Sequence, residues 1–122
     1  MKKTLSTIIC LLSAGCASTP TAEPVAPAPV GFQAQSQCNY IEPAKRVLPV
    51  YPPRAAASHQ PGWVALEYDI APDGSTTNVH VAGSSPEGLF DTASVEALQG
   101  WRYPASSETH AGCRLLLPYR SD

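Results

Sequence analysis

An α+β fold of αββαβ order is predicted for residues 38–122, and three observations predict it. Two alternating apolar runs flank a Pro-Asp-Gly turn, which is the pattern of a β-hairpin. After them, Phe90, Ala93, Ala97 and Trp101 fall at helical spacing. A third alternating run then follows, from Cys113 to Tyr119. The 122-residue length allows one domain at most. A formal net charge of −2 gives no general attraction to nucleic acid or anionic lipid. The composition is 43% hydrophobic and 15% charged, ordinary for a soluble chain. Thirteen prolines and four cysteines are the unusual counts, and both are explained by segment.

Residues 1–15 read as an export signal. Lys2 and Lys3 are a positive n-region, residues 4–12 a short apolar stretch, and Ser13-Ala14-Gly15 the small residues before a cleavage site. The stretch is shorter than the roughly 18–20 apolar residues that a membrane-spanning helix needs. Leu12-Ser13-Ala14-Gly15-Cys16 resembles the lipobox of bacterial lipoproteins, with Ser13 where that motif prefers leucine. The resemblance implies cleavage before Cys16, acylation of its thiol and anchoring of the chain by lipid. Ala17 rather than aspartate at the next position implies the outer membrane as destination. More than one acyl chain gives stable anchoring where a single one is marginal. Cleavage leaves six basic against ten acidic residues, a net charge of −4.

Residues 16–37 read as a tether. Pro20, Pro24, Pro27 and Pro29 stand among Ala, Thr, Gln and Ser, with Glu23 the one charge and Phe32 the one aromatic residue. Such a stretch buries too little to offset its ordering entropy and is expected to be an extended, polyproline-biased spacer. At about 3.1 Å per residue its reach is roughly 65 Å. With Cys16 taken by lipid, Cys38 and Cys113 remain as an even pair in an oxidising compartment, and a disulfide is expected. His59, His80 and His110 have no metal-ligand spacing, so neither metal nor cofactor is expected.

In residues 63–70, Val64, Leu66, Tyr68 and Ile70 share one face, and Trp63, Ala65, Glu67 and Asp69 the other. Pro72 presets φ, Asp73 bonds its own backbone and Gly74 takes positive φ in the turn. Thr77, Val79 and Val81 then alternate with Asn78, His80 and Ala82. Glu67, Asp69 and Asp73 have no partner that would make them an acid/base pair. They read as a solvated strand face and turn. Residues 84–88 read as a loop feeding a helix that Gly100 ends in a left-handed cap, with Phe90 and Trp101 facing the core. Ser107-Glu108-Thr109-His110 lies in a polar loop without a G-x-S-x-G elbow, so no catalytic residue and no enzyme is expected. In the last strand, Cys113, Leu115, Leu117 and Tyr119 face one way and Arg114, Leu116 and Pro118 the other. Pro118 lacks an amide donor, which marks an edge strand. Such edges are blunted or used to recruit an extended peptide.

Pro49-Val50-Tyr51-Pro52, Ala55-Ala56, Gly62-Trp63-Val64, Asp73-Gly74, Val79 and Val81, Ser84-Ser85-Pro86, Phe90-Asp91 with Ala93, and Trp101-Arg102-Tyr103-Pro104-Ala105 occur in that order. This series resembles the C-terminal domain of TonB, the energy transducer of Gram-negative bacteria, over about residues 49–119. The resemblance implies a two-layer module with a three-stranded antiparallel sheet packed on a helix. It also implies capture of the TonB box, a short extended segment of outer-membrane receptors, by addition to the last strand. Carried onto this chain, the peptide site comprises Arg114, Leu115, Leu116, Leu117 and Tyr119, with Tyr51 nearby. The chain departs from TonB in its first 15 residues, which hold no histidine and cannot span a membrane, and in its short tether. Two readings follow. One is a periplasmic interaction module of TonB-dependent transport, anchored to the outer membrane and binding a receptor peptide. The other is a structural envelope lipoprotein that reuses the fold without energy transduction and binds another envelope protein.

Overall fold

The computed structural model describes residues 21–120, so residues 1–15, read as an export signal, and Cys16 lie outside the described residues. A 3-10 turn at Gln33–Gln35 precedes α1 (Pro53–Ala57), β1 (Gly62–Ile70), β2 (Thr76–Ser85), α2 (Asp91–Gln99) and β3 (His110–Tyr119). The αββαβ order is the one expected. The three strands form an antiparallel sheet in the order β2-β1-β3, which leaves β2 and β3 as its edges.

The alternation of β1 translates into burial except at Ala65, which was expected on the other face and is buried to 1% exposure. Val64, Leu66, Tyr68 and Ile70 are buried, and α2 covers this face of the sheet with Ser94, Ala97 and Leu98. Phe90, Trp101, Tyr103, Leu115 and Tyr119 complete the core. In β2, Asn78, His80 and Ala82 are exposed and their neighbours half-buried, as the period of two requires. The strand runs on through Gly83, Ser84 and Ser85, where a loop was expected from residue 84. Its pairing with Trp63, Val64 and Ala65 holds those turn-prone residues extended.

The hairpin turn forms by the expected mechanism. Gly74 has φ +91°. Asp73 Oδ1 accepts the Ser75 amide at 2.9 Å and its hydroxyl at 2.6 Å. The Gly74 carbonyl accepts the Tyr103 amide at 2.8 Å, which ties the turn to the segment after α2. The end of α2 differs from expectation. Gly100 has φ −89°, not the left-handed value. Its amide bonds the Ala97 carbonyl and that of Trp101 bonds Leu98, so α2 tightens into a last 3-10 turn that needs no positive φ.

Trp101 is buried in the core cluster as expected, and the segment before α1 also meets it. Its Nε1 donates to the Val47 carbonyl at 3.0 Å, and the Arg46 guanidinium lies 5.6 Å from its ring. Tyr51, Phe90 and Tyr119 form an aromatic cluster, with Phe90 stacked on Tyr119 at 4.1 Å. Cys38 and Cys113 are joined by a disulfide with Cα atoms 5.1 Å apart, linking the chain ahead of α1 to β3.

Residues 21–37 differ from the free spacer that their composition implies. The Ala26 amide donates to Ser85 Oγ, and the Ala26 carbonyl accepts Trp63 Nε1–H at 2.7 Å. Gln60, buried to 2% exposure, exchanges hydrogen bonds with the Glu23 backbone. Residues 33–37 then reach the outer edge of β3. Side-chain and backbone hydrogen bonds, rather than apolar burial, hold the segment in place, and these leave no periodic trace in a sequence.

Candidate functional site: the outer edge of β3

Antiparallel pairing makes alternate residues of an edge strand present their backbone groups outward. In β3 the amides of Arg114 and Leu116 point away from β1, since each reaches an acceptor outside the sheet. By the same alternation Gly112 and Pro118 are outward positions, and Leu115, Leu117 and Tyr119 turn their backbone groups to Leu66, Val64 and Gly62 of β1. Pro118 therefore costs the sheet no internal hydrogen bond. Its missing amide is one that would have faced away from the sheet.

The side chains of the expected site divide between two faces. Leu115 and Tyr119 are buried in the core, and Leu117 is half-buried against it. The Tyr119 hydroxyl is hydrogen-bonded to Ser94 Oγ at 2.7 Å, and burial raises its pKa above the ordinary tyrosine range. Tyr51 reaches the end of β3 through the Tyr119 ring. Its hydroxyl donates to the Gln60 carbonyl, so it lies on the packed face rather than along the open edge. Arg114 and Leu116 remain on the opposite face, both half-buried. Of the six positions, only these two carry outward backbone groups and side chains off the core. Sequence alternation had separated the two faces, but not the two backbone edges.

The open face beside the edge is polar. Glu67 lies opposite both His80 and Arg114 in the sheet, and its carboxylate is 3.0 Å from His80 Nε2 and 3.5 Å from Arg114 Nε. His80 Nδ1 is 3.0 Å from the Asn78 carbonyl. With an acceptor on each ring nitrogen the protonated form is favoured, and the His80 pKa is raised, first by the Asn78 carbonyl and then by Glu67. Asp69 accepts from Asn78 Nδ2 and the Gly112 amide. These groups line a concavity of about 350 Å³ and satisfy one another across it.

The edge itself is covered by the chain's own residues 32–37. Gln33 Oε1 accepts the Leu116 amide at 2.8 Å, and Ser36 Oγ accepts the Arg114 amide at 2.9 Å. The Gln37 amide donates to the Gly112 carbonyl at 2.9 Å. Arg114 Nη1 donates to Gln35 Oε1 at 2.7 Å, with its guanidinium carbon 5.2 Å from the Phe32 ring centre. Sequence reading missed this contact. The run Gln33-Ala34-Gln35-Ser36-Gln37, dense in short polar acceptors, was its one available signal.

Elsewhere, Ser106 Oγ lies 3.2 Å from His110 Nε2, and Tyr40 stands 3.2 Å from Nδ1. The group is exposed at the surface, and Ser106 Oγ also donates to the Glu108 carbonyl in a local turn at 2.9 Å. A phenol rather than a carboxylate meets the imidazole, so nothing here prepares Ser106 as a nucleophile. Among the described residues there is no group of three or more His, Cys, Asp or Glu that could hold a metal ion. Nor is any described helix long and apolar enough to cross a membrane.

The family model for the Gram-negative bacterial TonB protein C-terminal matches residues 47–116. Protein TonB of Klebsiella pneumoniae is 35% identical over 86 residues, which is 70% of this chain and 32% of that protein. Protein TonB of Escherichia coli strain K12 is 36% identical over 58 residues, 48% of this chain and 24% of its own length. The chain thus spans a third or less of these curated relatives. Among solved structures, the TonB2 protein of Vibrio anguillarum shares the fold at a TM-score of 0.55 and 23% identity, covering 84% of this chain and 94% of that one. The solution structure of the Pseudomonas aeruginosa TonB C-terminal domain gives a TM-score of 0.54 at 26% identity, with 67% and 85% covered.

Proposed function

The chain belongs to the family of Gram-negative bacterial TonB protein C-terminal domains, and from that premise we propose that it captures an extended receptor peptide by strand addition to β3. The partner is the TonB box of an outer-membrane receptor. The single observation that carries the reading is the outward edge at Gly112, Arg114, Leu116 and Pro118, which no other strand of the sheet pairs. An added antiparallel strand would bond the Gly112 carbonyl and the amides and carbonyls of Arg114 and Leu116. Backbone pairing would give affinity, and the Arg114 and Leu116 side chains would give selectivity. Leu115, Leu117 and Tyr119 would act by holding this edge in place through β1 and the core. Tyr51 would do the same by fixing the Tyr119 ring.

The family fold works here as a recognition module rather than as an enzyme. We place it in the periplasm, held to the outer membrane through lipid on Cys16. Calorimetric titration of TonB-box peptides against the wild-type chain and Leu116→Pro tests the site. Proline at 116 removes an outward amide, and with it the bond to Gln33 Oε1, but no bond to β1. Binding should fall at least tenfold with the unfolding temperature nearly unchanged. Equal affinity for both chains would exclude this edge. No binding by either would leave the structural envelope role.

A further inference from the structure

We propose that residues 32–37 are an internal competitor for the β3 edge, so that the receptor peptide binds only when this strap peels away. The inference deepens the peptide-capture reading and rests on it. An added strand needs the outward amides of Arg114 and Leu116 and the Gly112 carbonyl. All three are already engaged, by Ser36 Oγ, Gln33 Oε1 and the Gln37 amide. The strap also holds the one cation of the edge, with Gln35 and Phe32 both on the Arg114 guanidinium. Strap and added strand cannot occupy the same groups together.

Two features suit the strap to temporary cover. It satisfies the two amides with side-chain oxygens on a short 3-10 turn rather than by a continuous ladder, so its grip is a set of separate contacts. Residues 33–35 and Gln37 are exposed, and no apolar burial fixes them. The strap also cannot diffuse away. Cys38 follows directly and is bonded to Cys113 of β3, so the strap re-forms at a high effective concentration. An incoming peptide therefore meets an edge that is free only part of the time, and its apparent affinity is lowered by that fraction.

The experiment uses the full chain and the combined change Phe32→Ala, Gln33→Ala and Ser36→Ala, none of them a buried core residue or a disulfide cysteine, and Ser36→Ala also gives up the 3.2 Å bond from the Cys38 amide. Amide hydrogen exchange reads the strap without any peptide, and titration of a synthetic TonB-box peptide reads the gate. Exchange at Arg114 and Leu116 should speed up in the variant while β1 amides stay protected. Peptide affinity should then rise by about 5- to 50-fold. Gln33→Ala alone should expose Leu116 and leave Arg114 protected by Ser36. Unchanged exchange at both amides would overturn the strap, whatever the peptide does. Faster exchange with unaltered affinity would show a cover that gates nothing. Faster exchange with no binding to either chain would remove the peptide-capture reading and the competition with it.

Discussion

Replacing Gly74 by alanine probes the joint between the hairpin turn and the segment after α2. Two separable costs arise there. Gly74 sits at φ +91°, where an L-residue is disfavoured by about 1–2 kcal/mol. A β-carbon would also lie 2.0 Å from the Tyr103 carbonyl oxygen, which is backbone and cannot rotate away. Relief requires the turn to part from Tyr103. That gives up the 2.8 Å Tyr103–Gly74 hydrogen bond, worth about 1 kcal/mol net. The displacement itself costs a further 1–3 kcal/mol, roughly, as overpacking does. The sum is about 3–6 kcal/mol. Gly88→Ala isolates the first cost, because Gly88 has φ +80° and nothing within 4 Å of a β-carbon. Thermal and urea unfolding of the oxidised protein, followed by circular dichroism, reads both. At about 4–8 °C per kcal/mol for a domain of this size, Gly88→Ala should lower the midpoint by roughly 4–16 °C. Gly74→Ala should lower it by well over that or prevent folding. Equal losses in the two variants would refute the close approach of the turn to Tyr103.

Trp101→Ala should cost roughly 3–5 kcal/mol by denaturant titration, as loss of a large buried aromatic side chain does. A change below about 1 kcal/mol, the size of an ordinary surface substitution, would contradict its burial. Cys38 and Cys113 should resist alkylation in the folded protein, and reduction should cost about 2–5 kcal/mol, since the bond closes a long loop. The His80 imidazole should titrate above the ordinary histidine value of 6.5 by NMR. Its folded pKa is raised first by the Asn78 carbonyl and then by Glu67, so the stabilisation from the charged imidazole is fully present below the unfolded value and fades as pH rises through the folded pKa. Glu67→Gln should move the titration down, and an unmoved titration would show that the pair does not couple.

The elements whose burial has a strict period were legible in the sequence. β1 runs over nine residues against a continuous core, and Val64, Leu66, Tyr68 and Ile70 are buried as read, whereas Ala65 is buried too although the alternation put it on the open face. The turn was legible because Asp73 and Gly74 each act through local geometry that their chemistry requires. α1 is five residues long, too short for a helical period, and only the prolines at its start mark it. The ending of α2 was misread because a glycine after a helix usually signals a left-handed cap, whereas the tight turn into Trp101 suits right-handed backbone here. The candidate edge was half legible. Alternation put Arg114 and Leu116 on the face away from the core, but which backbone groups point outward depends on register with β1. The strap left only the polar run from Gln33 to Gln37 as a signal, and it was not read. Its contacts come from single polar side chains in a proline-rich stretch whose composition reads as free.

The central claim is that β3 accepts an extended peptide along its outer edge. Isotope-edited NMR of the labelled chain, titrated with an unlabelled TonB-box peptide, tests it most directly. Shifts should concentrate at residues 112–118 and along the strap at 32–37. Cross-strand contacts from the peptide backbone should reach Arg114 and Leu116, whose outward amides should become more slowly exchanging than in the free chain. Shifts confined to the β2 edge, or none at millimolar peptide, would contradict it.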